Sequence, residues 1–381
     1  MPAESNNMRL AFTLFRYFPY GGLERDMLAM ARLCQSRGHD VVIYTREWQG
    51  PKPEDIPIIL LPVSAHTNHG KNNAFIRLLD AALSKDPGRL VVGFNKMPGL
   101  DLYYAADVCF AAKAYGQRGP VYRLSGRSRS YLKQEDAVFS RKSKTHAMMI
   151  SSAEMDTYHR YYDTPFERMH LLPPGIRRDR VMPEGYLEIR RQLREGYGLE
   201  KEDKLLLMVG SDFKRKGLDR SIKGLAALPE PLRRRTRLWV AGQDDPQPFN
   251  RLANSLGVAE NLSILGARDD VSELLWSADG FLHPAYSENT GTVLLEAMVA
   301  GLPVIATKTC GYSHYIEEQN MGVVLDDPVE VNSMARAIKT ILDEERDIWR
   351  RRGQSFADEE DIFSMTERAA ELIERVGKKN G

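Results

Sequence analysis

Cysteine is scarce in this chain. Three occur in 381 residues, Cys34, Cys109 and Cys310, far apart and without paired spacing. That argues against a disulfide framework or a zinc ribbon and points to a reducing cytoplasm. Long apolar runs are missing too. No stretch of about 18 apolar residues occurs, so no transmembrane helix is expected. The first residues, Met1-Pro2-Ala3-Glu4-Ser5, lack the basic and then apolar pattern of a secretory leader. The sequence holds no low-complexity linker, no short repeat, no Gly-x-Gly-x-x-Gly fingerprint and no nucleic-acid motif.

Net charge is also nearly absent, at +1, but the balance conceals a segregation. Residues 1–170 hold 23 Lys and Arg against 17 Asp and Glu, and the remainder hold 30 against 35. Residues 113–144 alone carry nine basic and two acidic side chains. Lys113, Arg118, Arg123, Arg127, Arg129, Lys133, Arg141, Lys142 and Lys144 are interleaved there with Tyr115, Tyr122, Tyr131 and Phe139. Such a segment suits an anionic membrane surface or nucleic acid. No nucleic-acid motif accompanies it, and a plain solvated face is the alternative.

What is present is an alternation of strands and helices. The length exceeds one compact core and fits two domains. Strands are expected at Met8–Phe15, Asp40–Thr45, Ile56–Pro62, Leu90–Asn95, Ala106–Ala111, His146–Ser151 and Met169–Leu172. Several are continuous apolar runs, as parallel strands covered on both faces are. Pro173-Pro174-Gly175 interrupts the series. It restarts at Leu205–Gly210, Arg237–Gly242, Leu262–Leu265, Gly280–Pro284, Pro303–Ala306 and Gly322–Leu325. The expectation is an α/β chain of two doubly wound Rossmann-like domains, 1–172 and 173–361, facing a cleft. A final helix at 362–375 is expected to pack on one of them, the first included.

Three loops carry candidate chemistry. Gly21-Gly22 opens the first helix, where free N–H groups point at an anion; a plain glycine-capped turn is the alternative. Lys214-Arg215-Lys216-Gly217 places three cations before a helix N-terminus, against its dipole, a conflict that a bound diphosphate would relieve. The stretch from His283 to Met298 puts Glu288 in a loop and Glu296 about two turns into a helix beginning near Thr290. Two carboxylates at one strand end can bracket a polyhydroxyl ligand, and the N–H groups of Asn289 to Gly291 can meet phosphate. The alternative is that Ser287 or Asn289 caps the helix and both glutamates are solvated.

Glu288 and Glu296 with seven residues between them, followed by Ala297-Met298-Val299-Ala300-Gly301-Leu302-Pro303-Val304, resemble the donor-site signature of family 4 retaining glycosyltransferases of GT-B fold. The resemblance spans essentially the whole chain. It is closest to the branch that adds glucose to a heptose of the lipopolysaccharide inner core, at Phe18–Gly22, Ser64–Gly70, Val92–Asp101 and Gly311–Ile316. Two departures stand out: Glu288-Asn289-Thr290-Gly291 where many members have Glu-Gly-Phe-Gly, and Gly210-Ser211 where many have Gly-Arg.

The resemblance implies UDP-glucose as donor substrate, a lipopolysaccharide inner-core acceptor, no metal or other cofactor, and no nucleic acid. It implies that Gly21 and Gly22 approach the diphosphate and that Arg215 and Lys216 neutralise it. Glu288 would bind the glucose hydroxyls and Glu296 the ribose. Arg180, Ser211, Asn289, Thr290 and Gly291 complete the expected donor site. Asp107 and Asp26 are the candidate catalytic carboxylates, in neither case as covalent nucleophiles. His66, Asn68, His69 and Lys71 are candidates on the acceptor side; a zinc site there lacks further ligands. The implied location is cytoplasmic, peripheral on the inner membrane through 113–144. The rivals are an epimerase or glycan synthase of the same fold, or a non-catalytic lipid- or nucleotide-binding module.

Overall fold

The computed structural model describes residues 7–19, 21–116 and 118–380. The leader reading of Met1–Ser5, and Tyr20 of the Gly-Gly loop, lie outside the described residues. The chain forms two compact units, Met1–Pro173 with Ser364–Gly381, and Pro174–Phe363.

The first unit holds seven strands: β1 (Arg9–Thr13), β2 (Asp40–Thr45), β3 (Ile58–Leu60), β4 (Leu90–Gly93), β5 (Leu102–Ala105), β6 (His146–Met149) and β7 (Met169–Leu171). They form one parallel sheet in the order β3-β2-β1-β4-β5-β6-β7. Alternate residues of β1 explain its apolar run. Leu10 and Phe12 pack with Met27, Met30 and Cys34 of the helix Gly22–Ser36, whereas Ala11 packs on the opposite face with Phe75 and Phe139. The final helix, Met365–Asn380, belongs to this unit. Its Ala369, Ala370, Ile373 and Val376 enter the same core as Met27 and Met30, and Glu374 pairs with Arg37 at 3.1 Å.

One expected strand is misplaced. Ala106–Ala111 is not a strand: the strand is Leu102–Ala105, and Phe110–Gly116 is a helix. The aromatic Leu-Tyr-Tyr run favours a pleated strand, and the alanines that follow favour a helix.

The second unit holds β8 (Lys204–Val209), β9 (Thr236–Ala241), β10 (Leu262–Gly266), β11 (Gly280–His283), β12 (Val304–Thr307) and β13 (Gly322–Leu325). They too form a parallel sheet, in the order β10-β9-β8-β11-β12-β13. Leu205 and Leu207 of β8 pack with Leu294, Leu295 and Met298, and Leu206 and Met208 face Ile222, Leu225 and Ile338. All three cysteines are buried and unpaired. Among the described residues, no helix is long and apolar enough to cross a membrane.

Candidate functional site

In each unit the strand order reverses beside one strand, and open α/β sheets bind ligands at that switch point, beyond the strand carboxyl ends. In the second unit the switch lies between β8 and β11. Their following loops touch at Gly217, whose φ is +82°; a Cβ there would stand 2.0 Å from the Pro284 carbonyl oxygen. Only glycine permits that approach.

The contact brings the loop cations onto one carboxylate. Lys216 Nζ donates to Glu288 Oε2, and Arg215 Nη1 donates to the same oxygen at 3.1 Å. Arg215 also donates to Asp212 at 2.8 Å and to the Ser287 carbonyl at 3.0 Å. His283 Nε2 lies 3.5 Å from Glu288 Oε2 and is wholly buried. Burial pushes the Glu288 carboxyl up, but His283 and Lys216 outweigh it and hold it well below the usual carboxylate range. Burial pushes the His283 imidazole down, toward the neutral form.

The third cation departs from the pair. Lys214 donates to Asp219 at 2.8 Å and to the Tyr286 hydroxyl at 3.2 Å. Each loop cation therefore has an acidic partner before any ligand arrives. The expected unrelieved conflict with the helix dipole is corrected: Asp212, Asp219 and Glu288 offset it.

The pairing has a pH signature. Glu288 has a folded pKa below its unfolded value, so its stabilisation is complete above the ordinary glutamate value, about 4.3, and fades as pH falls below it. Glu288→Gln is expected to flatten the acid limb of a melting-temperature profile below about pH 4.5. An acid limb identical to the parent's would contradict the pairing.

Glu296 lies in the helix Thr292–Val299, which starts two residues later than expected. Gly291, at φ +84°, is its N-cap, and no side chain caps it, so the Ser287 or Asn289 capping alternative is overturned. Glu296 is buried, with Arg180 Nε 3.5 Å from its Oε2. Arg180 also donates to Ser272, so its guanidinium stands at Glu296. Thr290 is buried, and its carbonyl accepts from Tyr312 N at 2.8 Å. The Asn289 carbonyl oxygen occupies the space a Cβ on Gly311 would need. Ser211 Oγ accepts from Gln243 N at 3.2 Å.

In the first unit the switch lies between β1 and β4, and the Phe15 N–H donates to Asn95 Oδ1 across it at 2.7 Å. Gly21 is the N-cap of the helix Gly22–Ser36, and Gly22 faces open space. A Cβ on Gly21 would meet the Glu24 carboxylate at 1.8 Å, so that buried side chain folds over the loop. Burial pushes the Glu24 carboxyl up, with Asp26 and Asp107 adding to the rise. Asp26 accepts from the Tyr104 hydroxyl at 3.0 Å and pairs with Arg25 at 3.3 Å. Burial raises it too. Asp107 is exposed in the loop after β5 and lines a cavity of about 640 Å³. Phe15, Asn72, Asn95 and Lys96 also line that cavity.

The acceptor-side candidates stand elsewhere. His66 and Asn68 are exposed, His69 and Lys71 half-buried, around the start of the helix Asn68–Leu83 capped by Thr67. None of the four lines the cavity; Asn72, one turn on from Asn68, does. Among the described residues, no group of three or more His, Cys, Asp or Glu could hold a metal ion.

Residues 189–356 match the model of glycosyl transferases group 1, and residues 20–180 that of glycosyltransferase family 4. The lipopolysaccharide glucosyltransferase WaaG of Escherichia coli K12 is 44% identical over 368 residues, covering 96% of this chain and 98% of that protein. The chain belongs to the family 4 glycosyltransferases. A crystal structure of WaaG superposes on it with a TM-score of 0.90, covering 96% of this chain and 99% of that one. Anabaena HepE, in complex with UDP and glucose, shares the fold at a TM-score of 0.74 and 17% identity, over 97% of this chain and all of that one. The glycosyltransferase thus has the GT-B fold.

Sequence reasoning passed over several residues of this glycosyltransferase. His283 is the last residue of β11 and Asn95 follows β4 by two residues, and a polar side chain at a strand's carboxyl end is the signal that would have found them. Glu24 reads as an ordinary first-turn acid, and nothing in its spacing reveals the burial. Asn72 reads only as a neighbour of His66, Asn68, His69 and Lys71 in a polar stretch, and nothing in the sequence shows that it alone of them is buried against the cavity.

Proposed function

We propose that the protein transfers glucose from UDP-glucose to a heptose of the lipopolysaccharide inner core, with retention of configuration and without a metal. The observation that carries this reading is the Lys216–Glu288–Arg215 cluster at the switch point of the second sheet. An incoming diphosphate takes the two cations from Glu288. The released carboxylate is then free to accept from glucose hydroxyls. The cations stabilise the leaving UDP electrostatically, worth about 10²–10³ in rate per donor group in comparable sites. Glu296, held by Arg180, accepts from the ribose. The acceptor attacks from the face the diphosphate leaves, and a diphosphate oxygen takes its proton. The test is UDP release from a panel of nucleotide sugars against truncated core acceptors. UDP-glucose with a heptose-terminated core should give the fastest release; a faster sugar or acceptor would replace the assignment.

We further propose that the enzyme sits on an anionic membrane surface through residues 113–144. The short helix Pro120–Leu124 supports this: Val121 is 81% exposed and Leu124 66%. Arg118, Arg123, Arg127 and Arg129 surround that apolar tip in sequence. Each cation near such a surface contributes about 1 kcal/mol, and salt screens it. Arg127 lines the cavity with Asp107, so replacing it does not isolate membrane binding. The variant of choice is Val121→Ser with Leu124→Ser and Arg129→Ser. Sedimentation with anionic vesicles should fall at least fivefold, while activity on detergent-solubilised acceptor stays level. Unchanged sedimentation, or equal binding of the parent to neutral vesicles, would contradict membrane docking by this segment.

A further inference from the structure

The cavity beside Asp107 has a composition that transfer to a neutral sugar does not require. It lies wholly within the first unit, at the carboxyl ends of β1, β4 and β5, and its volume of about 640 Å³ is ordinary for a small-molecule site. Phe15, Phe110, Tyr122 and Tyr131 supply apolar ring faces. Asn72 and Gln134, 6% and 4% exposed, supply buried amides. Ring faces with fixed amides suit the C–H face and the hydroxyls of a pyranose.

Its charge is the unusual part. Lys96, Lys113, Arg118 and Arg127 line it, against Asp107 alone. Lys96 is already engaged: its ammonium donates to the buried Glu135 and, at 2.9 Å, to the Val108 carbonyl. Glu135 is held in turn by the Phe110 and Ala111 N–H groups at 2.8 Å. That leaves Lys113, Arg118 and Arg127, none in an ion pair among the described residues. Arg118 lies 5.6 Å over the Tyr122 ring and Arg127 5.7 Å over the Tyr131 ring. At these distances each ring attracts its guanidinium, whose planar fork suits a bidentate grip on an oxyanion.

We propose that this cavity recognises an acidic substituent, phosphate or carboxylate, on the acceptor saccharide, with Arg118 and Arg127 as its readers. The proposal rests on the glycosyltransfer reading for the word acceptor, but the cavity's preference for an acidic sugar can be measured without turnover. Binding of heptose 7-phosphate, glucuronate and unsubstituted heptose to the full chain would be followed by ligand-observed NMR. The comparison covers the parent, Arg118→Ala/Arg127→Ala, and Lys142→Ala, an exposed cation of the same segment outside the cavity lining. At least one acidic probe should bind the parent ten times tighter than heptose does, and which one names the acid. The double variant should lose that preference, Lys142→Ala should keep it, and thermal melting of both should match the parent. Equal binding of all three probes to the parent, or an undiminished preference in the double variant, would overturn the proposal. A kinetic arm separates it from the function itself: the double variant should raise the acceptor KM about tenfold and leave the UDP-glucose KM level. Absence of glucose transfer by the parent sinks the functional reading, while the NMR result still decides the cavity.

Discussion

Lys216→Ala is expected to lower kcat by about 10²–10³-fold, because the proposed grip on the leaving diphosphate loses one of its two cations. The variant should also melt a few degrees lower. Lys216 and Glu288 are each only 13% exposed and hydrogen-bond one another, so removing the lysine leaves a largely buried carboxylate short of a partner. Arg215 remains on Glu288 Oε2 at 3.1 Å, which limits the loss to about 1–3 kcal/mol. The sign matters: a loop whose cations merely opposed a helix dipole would gain stability from the change. Near-parental turnover would remove Lys216 from the leaving-group role, and a higher melting temperature would contradict the pairing.

The two glutamates should separate in calorimetry. If Glu296 holds the ribose as proposed, Glu296→Ala should weaken UDP and UDP-glucose alike, by about 10–100-fold, as one lost charge-assisted hydrogen bond does. Glu288→Ala should act otherwise. It frees Lys216 and Arg215, so UDP alone should bind as well as before or more tightly. The extra affinity that glucose brings should vanish, and turnover should fall at least 100-fold. Equal losses of UDP and UDP-glucose binding in both variants would contradict this division.

Much of the fold was legible because parallel strands announce themselves as apolar runs of four to six residues, as in Leu205–Met208. The failure at Ala106–Ala111 has a local cause. An apolar stretch that spans a strand end, a loop and a helix start shows no period, and Asp107 interrupts it in the loop. The two-glutamate motif was legible as spacing, Glu288 to Glu296, but its electrostatics were not. The Lys216–Glu288 pair spans 72 residues and depends on Gly217 meeting Pro284, which no window of sequence displays. The cavity beside Asp107 was hidden for the same reason. Its Asn72, Asn95 and Arg127 come from three distant segments, and their convergence is a property of the sheet order. The basic segment was visible as charge, but only the fold separates Arg127, which lines a cavity, from Val121 and Leu124, which face outward.

The central claim is retaining transfer of glucose to a heptose on a cation cluster that needs no metal. It is tested most directly by incubating the enzyme with UDP-[¹³C]glucose and a heptose-terminated lipopolysaccharide core in the presence of EDTA, then reading the product's anomeric signals by NMR. The account predicts a labelled α-glucosyl residue on the core, formed at the same rate with and without chelator. A β-linked product, transfer that stops with EDTA and returns with a divalent cation, or no labelled core at all would contradict it.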